Sequence, residues 1–245
     1  MPRYDRIYLS PHLDDAVFSC GGRIHREVGE GLSVLIATVA TTPAPARMSR
    51  FAGRFHRRAG LGADAMETRR EEDREAARRL GAEALHLGLP DAIYRVDPQG
   101  GRPFYTHWWA LLGRARAGDP LPPLLRRALE ELPDSELLLV PFAIGGHVDH
   151  RLTREAAEAA CADRELVWWE DFPYLARWPR PGPRPGEGWK SETVALDAAA
   201  LEARSRAMAA YDSQIRAMFG GEARMRRLVE RSVRKTGGER YWHRS

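Results

Sequence analysis

Two cysteines, Cys20 and Cys161, are all that the 245 residues contain. A pair so far apart builds neither a disulfide framework nor a cysteine-rich metal site. Each lies in an apolar helical pattern, as a buried thiol does. No apolar run is long enough to span a bilayer, and the N-terminus has no apolar signal core, so a reducing cytoplasm is the expected compartment. Charge of one sign is scarce too. The 38 basic residues face 34 acidic ones, a formal net charge of +4, and the arginines are spread along helices rather than gathered in a block. That balance gives no reason to expect a nucleic-acid partner, although abundant arginine suits an acidic substrate. Internal repeats are missing, and the one biased stretch is the Pro-, Arg- and Gly-rich segment 178–188, read as a surface loop. With 43% hydrophobic residues the chain can build one substantial core, and a single domain over residues 1–245 is expected. The oligomeric state stays open, a homo-oligomer included.

What is present alternates between strand and helix patterns. Arg6–Leu9 is short, β-prone and ends at a Ser-Pro step, which disfavours helix. Residues 16–29 read as helix, 32–39 as a buried strand, 67–80 as a charged helix stopped by Gly81, 84–89 as a strand, 120–132 as a helix, and 136–142 as a strand apolar on both faces. A helical pattern over 152–161, a strand over 166–170, an edge strand over 192–196, a helix from Asp197 to about Tyr211 and a last amphipathic helix over 222–235 complete the order. Alternating βαβ units predict a Rossmann-like α/β fold, a mostly parallel sheet with helices on both faces. Segments 41–65 and 92–118 read as long loops at the carboxyl edge of that sheet, able to wall or cover a site. In the second, Tyr94, Tyr105, His107, Trp108 and Trp109 either stack on a pyranose or pack the loop onto the core.

Chemistry concentrates in two loops. After the first strand come His12, Asp14 and Asp15, an imidazole and two carboxylates of the kind that hold a catalytic zinc with an open water position. Asp15 follows His12 by three residues, so a helix starting there turns both to one point and leaves Asp14 free to act as a base. After the strand 136–142 comes His147-Val148-Asp149-His150, which offers the further ligand. Both loops leave the carboxyl ends of strands, where ligands bind in open parallel sheets. Asp91 ends a third strand and can accept bonds from sugar hydroxyls, while Arg69, in the first turn of its helix, can reach hydroxyls or a phosphate. Asp171–Tyr174 continues from a further strand toward the same edge.

Pro11-His12-Leu13-Asp14-Asp15 with Gly21-Gly22 behind it, paired with His147-Val148-Asp149-His150, resembles the PIG-L/LmbE-like family of zinc-dependent N-acetylglucosamine deacetylases. The likeness extends through Arg69-x-x-Glu72 with Leu80-Gly81, Leu89-Pro90-Asp91 and Ser213-Gln214. It implies zinc ligands His12, Asp15 and His150, a general base at Asp14, and His147 polarising or protonating the reaction centre. Arg69 and Asp91 would contact the sugar, and Asp149 would orient an imidazole. The implied partner is a small acetylated amino sugar or glycoconjugate, and Fe2+, Co2+ or Mn2+ can replace Zn2+ on such ligands. The family's Pro-Asp-Asp-Glu ending is Leu13-Asp14-Asp15-Ala16 here, and the aromatic middle segment has no counterpart. Two further readings use the same residues: a metal-dependent phosphoesterase with Arg69 on the phosphate, and a catalytically silent sugar-binding relative.

Overall fold

In the computed structural model the described residues are 2–62, 64–174 and 182–245. Strand β1 (Arg3–Ser10) is followed by α1 (Asp15–Gly29), β2 (Val34–Ala40), α2 (Arg50–Ala59), α3 (Ala65–Leu80) and β3 (Glu83–Leu89). Helix α4 (Leu121–Glu130), β4 (Asp134–Pro141), α5 (Val148–Ala160) and β5 (Glu165–Trp169) form the second winding, and β6 (Trp189–Val194), α6 (Ala198–Met208), α7 (Glu222–Thr236) and β7 (Glu239–Arg244) close the chain. The seven strands form one sheet in the order β3-β2-β1-β4-β5-β7-β6. The first five in that order run parallel, and β7 and β6 are added antiparallel.

Period-2 alternation explains why the central strands read as unbroken apolar runs. Ile7 and Leu9, Leu35, Ala37 and Val39, and Leu138 and Val140 point to one core, shared with Leu125 and Leu129 of α4 and Val148 and Leu152 of α5. Tyr8, Val34, Ile36, Leu137 and Leu139 point to the other, shared with α1, α3, α6 and α7 through Val17, Ala76, Met208 and Val229. Helices therefore cover both faces, as expected. No helix among the described residues is long and apolar enough to cross a membrane.

Three expectations change. The 41–65 segment contains α2, whose start is capped by Ser49 accepting from the Ala52 amide and whose end is Gly60 at φ 68°. Its six arginine, histidine and glycine positions had masked a Phe51/Phe55 spacing of one helical turn. Helix α5 begins at Val148 rather than at Leu152, which brings the second motif into its first turn. Strand β7, unread in the sequence, slots between β5 and β6 because Glu239 and Tyr241 are buried while their neighbours are not. Strand β6 is the edge strand that was expected. Of the loop read over 178–188, residues 178–181 lie outside the described residues.

The Gly21-Gly22 pair does not break α1. It lets α6 and its approach come close: a Cβ on Gly21 would stand 3.1 Å from Arg204 Cγ, and one on Gly22 2.6 Å from Leu196 Cδ2. Arg204 fills that contact. It is 3% exposed, its Nε donates to the Phe18 carbonyl at 3.0 Å, and its Nη1 lies 3.3 Å from Glu239 Oε1. Glu239 also accepts from the Gly22 and Arg23 amides at 2.9 Å. Arg204→Met leaves a buried carboxylate without its cation and is expected to cost roughly 3–5 kcal/mol, read as a lower urea midpoint. Arg78→Ala, which removes an exposed pair with Glu75, should leave the urea midpoint nearly unchanged, because solvent screens such a pair. Equal midpoint shifts in the two variants would contradict this assignment.

Candidate metal and active site

In the strand order, β2 and β3 lie on one side of β1 while β4 and β5 lie on the other, so the chain reverses direction of winding between β1 and β4. Both chemical loops leave the carboxyl ends of those two strands. The switch point of an open parallel sheet is where backbone diverges and a crevice opens, and there His12, Asp14 and Asp15 meet His147, Asp149 and His150. Asp14 sits just before α1 at φ 152° and ψ −33°. A non-glycine residue held at such a φ stores strain of order 1–3 kcal/mol, of the kind that surrounding structure has to enforce. The consequence is directional: Asp14 and Asp15, adjacent in sequence, have different surroundings.

Asp15 Oδ2 lies between two imidazoles. It is 2.9 Å from His12 Nδ1 and 3.1 Å from His150 Nε2, and it also accepts the His12 amide at 2.9 Å. Each of those rings turns its other nitrogen to a second carboxylate: His12 Nε2 to Asp149 Oδ2 at 3.0 Å, and His150 Nδ1 to Asp171 Oδ1 at 2.5 Å. Asp171 in turn accepts the Ile144 amide at 3.0 Å. His147 is oriented from below, because its Nδ1 accepts the Asp149 amide at 3.3 Å. A neutral ring bonded that way carries its proton on Nε2.

Electrostatics follow from burial and neighbours. Burial alone would depress both His12 and His150, but the carboxylates of Asp149 and Asp15 raise His12 well above the ordinary imidazole value, and those of Asp15 and Asp171 raise His150 to about 9. His147 goes the other way. Burial, reinforced by the charge on His12, lowers it well below the ordinary value. Asp15 is held ionised against burial by His150 and His12. Asp14 takes the opposite shift, pushed up to about 8 by burial and by the charge of Asp15, with Arg69 opposing.

The remaining expected residues gather at the same place. Arg69 Nη2 lies 3.6 Å from Asp14 Oδ2 and donates to the Leu13 carbonyl at 3.2 Å. Glu72, one turn on, bonds both the amide and hydroxyl of Ser213, at 2.8 and 2.6 Å, which is why those two sequence positions travel together. Asp91 Oδ2 is 3.9 Å from His12 Nε2. Arg69, Asp91 and Gln214 line one cavity of about 670 Å3 with His12, Asp14, Asp15 and His147. Of the aromatic segment, Tyr94 and Trp108 line it. Tyr105 is fully buried and bonded to Asp119 at 2.6 Å, His107 caps a short turn, and Trp109 is 72% exposed.

Arg95 is the residue that sequence reasoning missed. Its guanidinium is buried, 2.6 Å from Asp149 Oδ1 and 3.0 Å from Asp119 Oδ1. An arginine in a polar loop carries no sequence signal for burial. Asp171 was legible only as a position following a strand. Two groups among the described residues bring donor atoms within 4.8 Å of one another, His12, His147 and His150, and His12, Asp91 and Asp149; Asp15 belongs to neither. Imidazole and carboxylate donors of this kind suit a divalent metal ion.

Taken together, a doubly wound parallel sheet with an imidazole–carboxylate cluster at its switch point is the build of an α/β enzyme that works at the carboxyl edge of its sheet. The family model described as PIG-L, GlcNAc-PI de-N-acetylase, matches residues 7–161, and the chain belongs to that family, as a deacetylase. It is 26% identical over 236 residues to 2'-N-acetylparomamine deacetylase of Niallia circulans, covering 89% of this chain and 83% of that protein. To the Streptomyces fradiae protein of the same description it is 33% identical over 176 residues, 70% of this chain and 58% of that one. Among solved structures, the zinc-inhibited form of a teicoplanin deacetylase superposes with a TM-score of 0.84 at 28% identity, covering 100% of this chain and 99% of that one.

The Arg95–Asp149 pair makes a prediction of its own. Arg95→Met and Asp149→Asn should each destabilise the protein, and in a double-mutant cycle on urea unfolding their coupling should reach about 1–3 kcal/mol. Strict additivity would show that the two charges do not depend on each other.

Proposed function

We propose that this protein removes the acetyl group from an N-acetylglucosamine-type sugar or glycoconjugate, with Zn2+ held by His12, Asp15 and His150. The observation that supports it most is the position of Asp15 Oδ2, 2.9 Å from one imidazole nitrogen and 3.1 Å from another. Two ligand bonds of about 2.0–2.1 Å at a tetrahedral angle put neighbouring donors roughly 3.3 Å apart, close to both of these contacts of Asp15 Oδ2. His150 Nε2 adds to the fit, being buried with no hydrogen-bond partner among the described residues. A bound zinc ion supplies Lewis acidity toward the amide carbonyl and toward water.

The chain's own residues do the rest. Asp14, free of the ligand set and beside Arg69, accepts the proton of the attacking water and passes it to the departing amine. His147 acts as a neutral ring, donating from Nε2–H to the carbonyl oxygen as it becomes negative. Asp149 and Asp171 fix the faces of His12 and His150 by accepting their outer ring N–H groups. Arg69 and Asp91 take sugar hydroxyls at the cavity wall. Water and amide are consumed, acetate and free amine formed, and Asp14 ends as it began.

Asp14→Asn should lower acetate release from N-acetylglucosamine derivatives by about 10²–10⁴ while bound zinc, counted by atomic emission, stays near wild type. His12→Ala and His150→Ala should lose both. Chelation should abolish acetate release and zinc should restore it. Equal loss of metal in Asp14→Asn and His12→Ala would overturn the division of roles.

A further inference from the structure

The cavity is larger than the sugar-binding reading uses. Its chemical end holds His12, Asp14, Asp15, Arg69, Asp91 and His147, and much of the rest is apolar. A single hexosamine leaves part of about 670 Å3 unfilled; a volume of that size holds a drug-sized ligand. One wall is a face of α2. Phe51, Arg54, Phe55 and Arg58 stand at i, i+3, i+4 and i+7, the spacing of one helix face, and all four line the cavity. That face alternates ring and guanidinium. Facing Phe55 is Trp108, with ring centroids 6.1 Å apart and planes 20° from parallel, and Met66 and Met218 line the same space.

The wall is held in place. Ala52 and His56 of α2 are buried, and His56, which also lines the cavity, bonds the Tyr94 hydroxyl through Nε2 at 2.5 Å. The charge at this wall is of one sign. The acidic residues lining the cavity are Asp14, Asp15 and Asp91, each already placed at the chemical end, whereas Arg54 and Arg58 line its other wall, Arg54 donating to the Arg50 carbonyl. In an N-acetylhexosamine the carbon bearing the acetamide adjoins the anomeric carbon, so a substrate held by its acetamide directs its anomeric substituent along the cavity.

Resting on the deacetylase reading above, we infer that the α2 face selects an acetylated amino sugar whose anomeric substituent is aromatic and carries an anionic group such as a carboxylate. The aromatic part lies against Phe51, Phe55 and Trp108, and the anion meets Arg54 and Arg58. A cationic aglycone is disfavoured by the same two arginines.

The test separates this inference from the reaction. Calorimetry on the zinc-loaded Asp14→Asn variant measures binding without turnover for the methyl, phenyl, 4-carboxyphenyl and 4-(aminomethyl)phenyl glycosides of N-acetylglucosamine. Phenyl should bind about tenfold more tightly than methyl. Carboxyphenyl should exceed aminomethylphenyl by about fivefold or more, a preference that shrinks toward unity in 1 M salt. Adding Arg54→Ser and Arg58→Ser should remove the charge preference and keep the phenyl-over-methyl ratio. Equal affinities for all four glycosides, or tighter binding of the cationic one, would overturn the inference. Acetate release by the wild-type enzyme from the same four is read separately: if none is deacetylated, the proposed reaction fails, whatever the binding order.

Discussion

Everything at this site depends on one carboxylate oxygen, Asp15 Oδ2, held between two imidazoles. The pair of contacts at 2.9 and 3.1 Å joins the loop after β1 to the helix after β4, and with them the two halves of the sheet. Each imidazole is then fixed from behind by another carboxylate, Asp149 or Asp171. Packing that many acids into a buried edge is costly unless each has a partner. The partners are specific: Arg95 for Asp149, Arg69 for Asp14, and backbone amides for Asp171 and Asp91. The proposed division between a metal-holding aspartate and a proton-accepting one follows from this, because Asp15 has two imidazoles and Asp14 has a more distant guanidinium.

The fold serves that arrangement. Parallel winding puts both loops on one edge, and the reversal between β1 and β4 opens the crevice between them. The segment 92–118, far from being only a cover, reaches into the site through Arg95, and the Ala92 amide donates to the same Asp149 oxygen that faces His12. The backbone at Asp14, at φ 152°, is the local strain that separates two neighbouring carboxylates.

Much of this was readable from the sequence, for physical reasons that differ by element. The central strands announced themselves because both faces are buried, so β2, buried throughout, appears as a plain apolar run. His12, Asp14, Asp15, His147, Asp149, His150 and Asp91 could be singled out because each lies near a strand end or a helix start, where position implies edge, whereas Arg69 rested on the resemblance and stands one turn into α3 rather than in its first turn. The misses have equally definite causes. Helix α2 hid behind its arginines, since a polar helix that presents one face to a cavity shows little apolar periodicity. Strand β7 hid because half of its burial is of polar residues, Glu239 above all. Arg95 was invisible because burial of a guanidinium is decided by Asp149 and Asp119, which lie 54 and 24 residues away in sequence.

The most direct measurement is X-ray absorption at the zinc edge on the protein loaded with one equivalent of zinc. The account predicts a first shell of nitrogen and oxygen at about 2.0–2.1 Å with an outer-shell signature of two imidazoles. A shell fitted by three imidazoles, or a spectrum unchanged in His150→Ala, would contradict it.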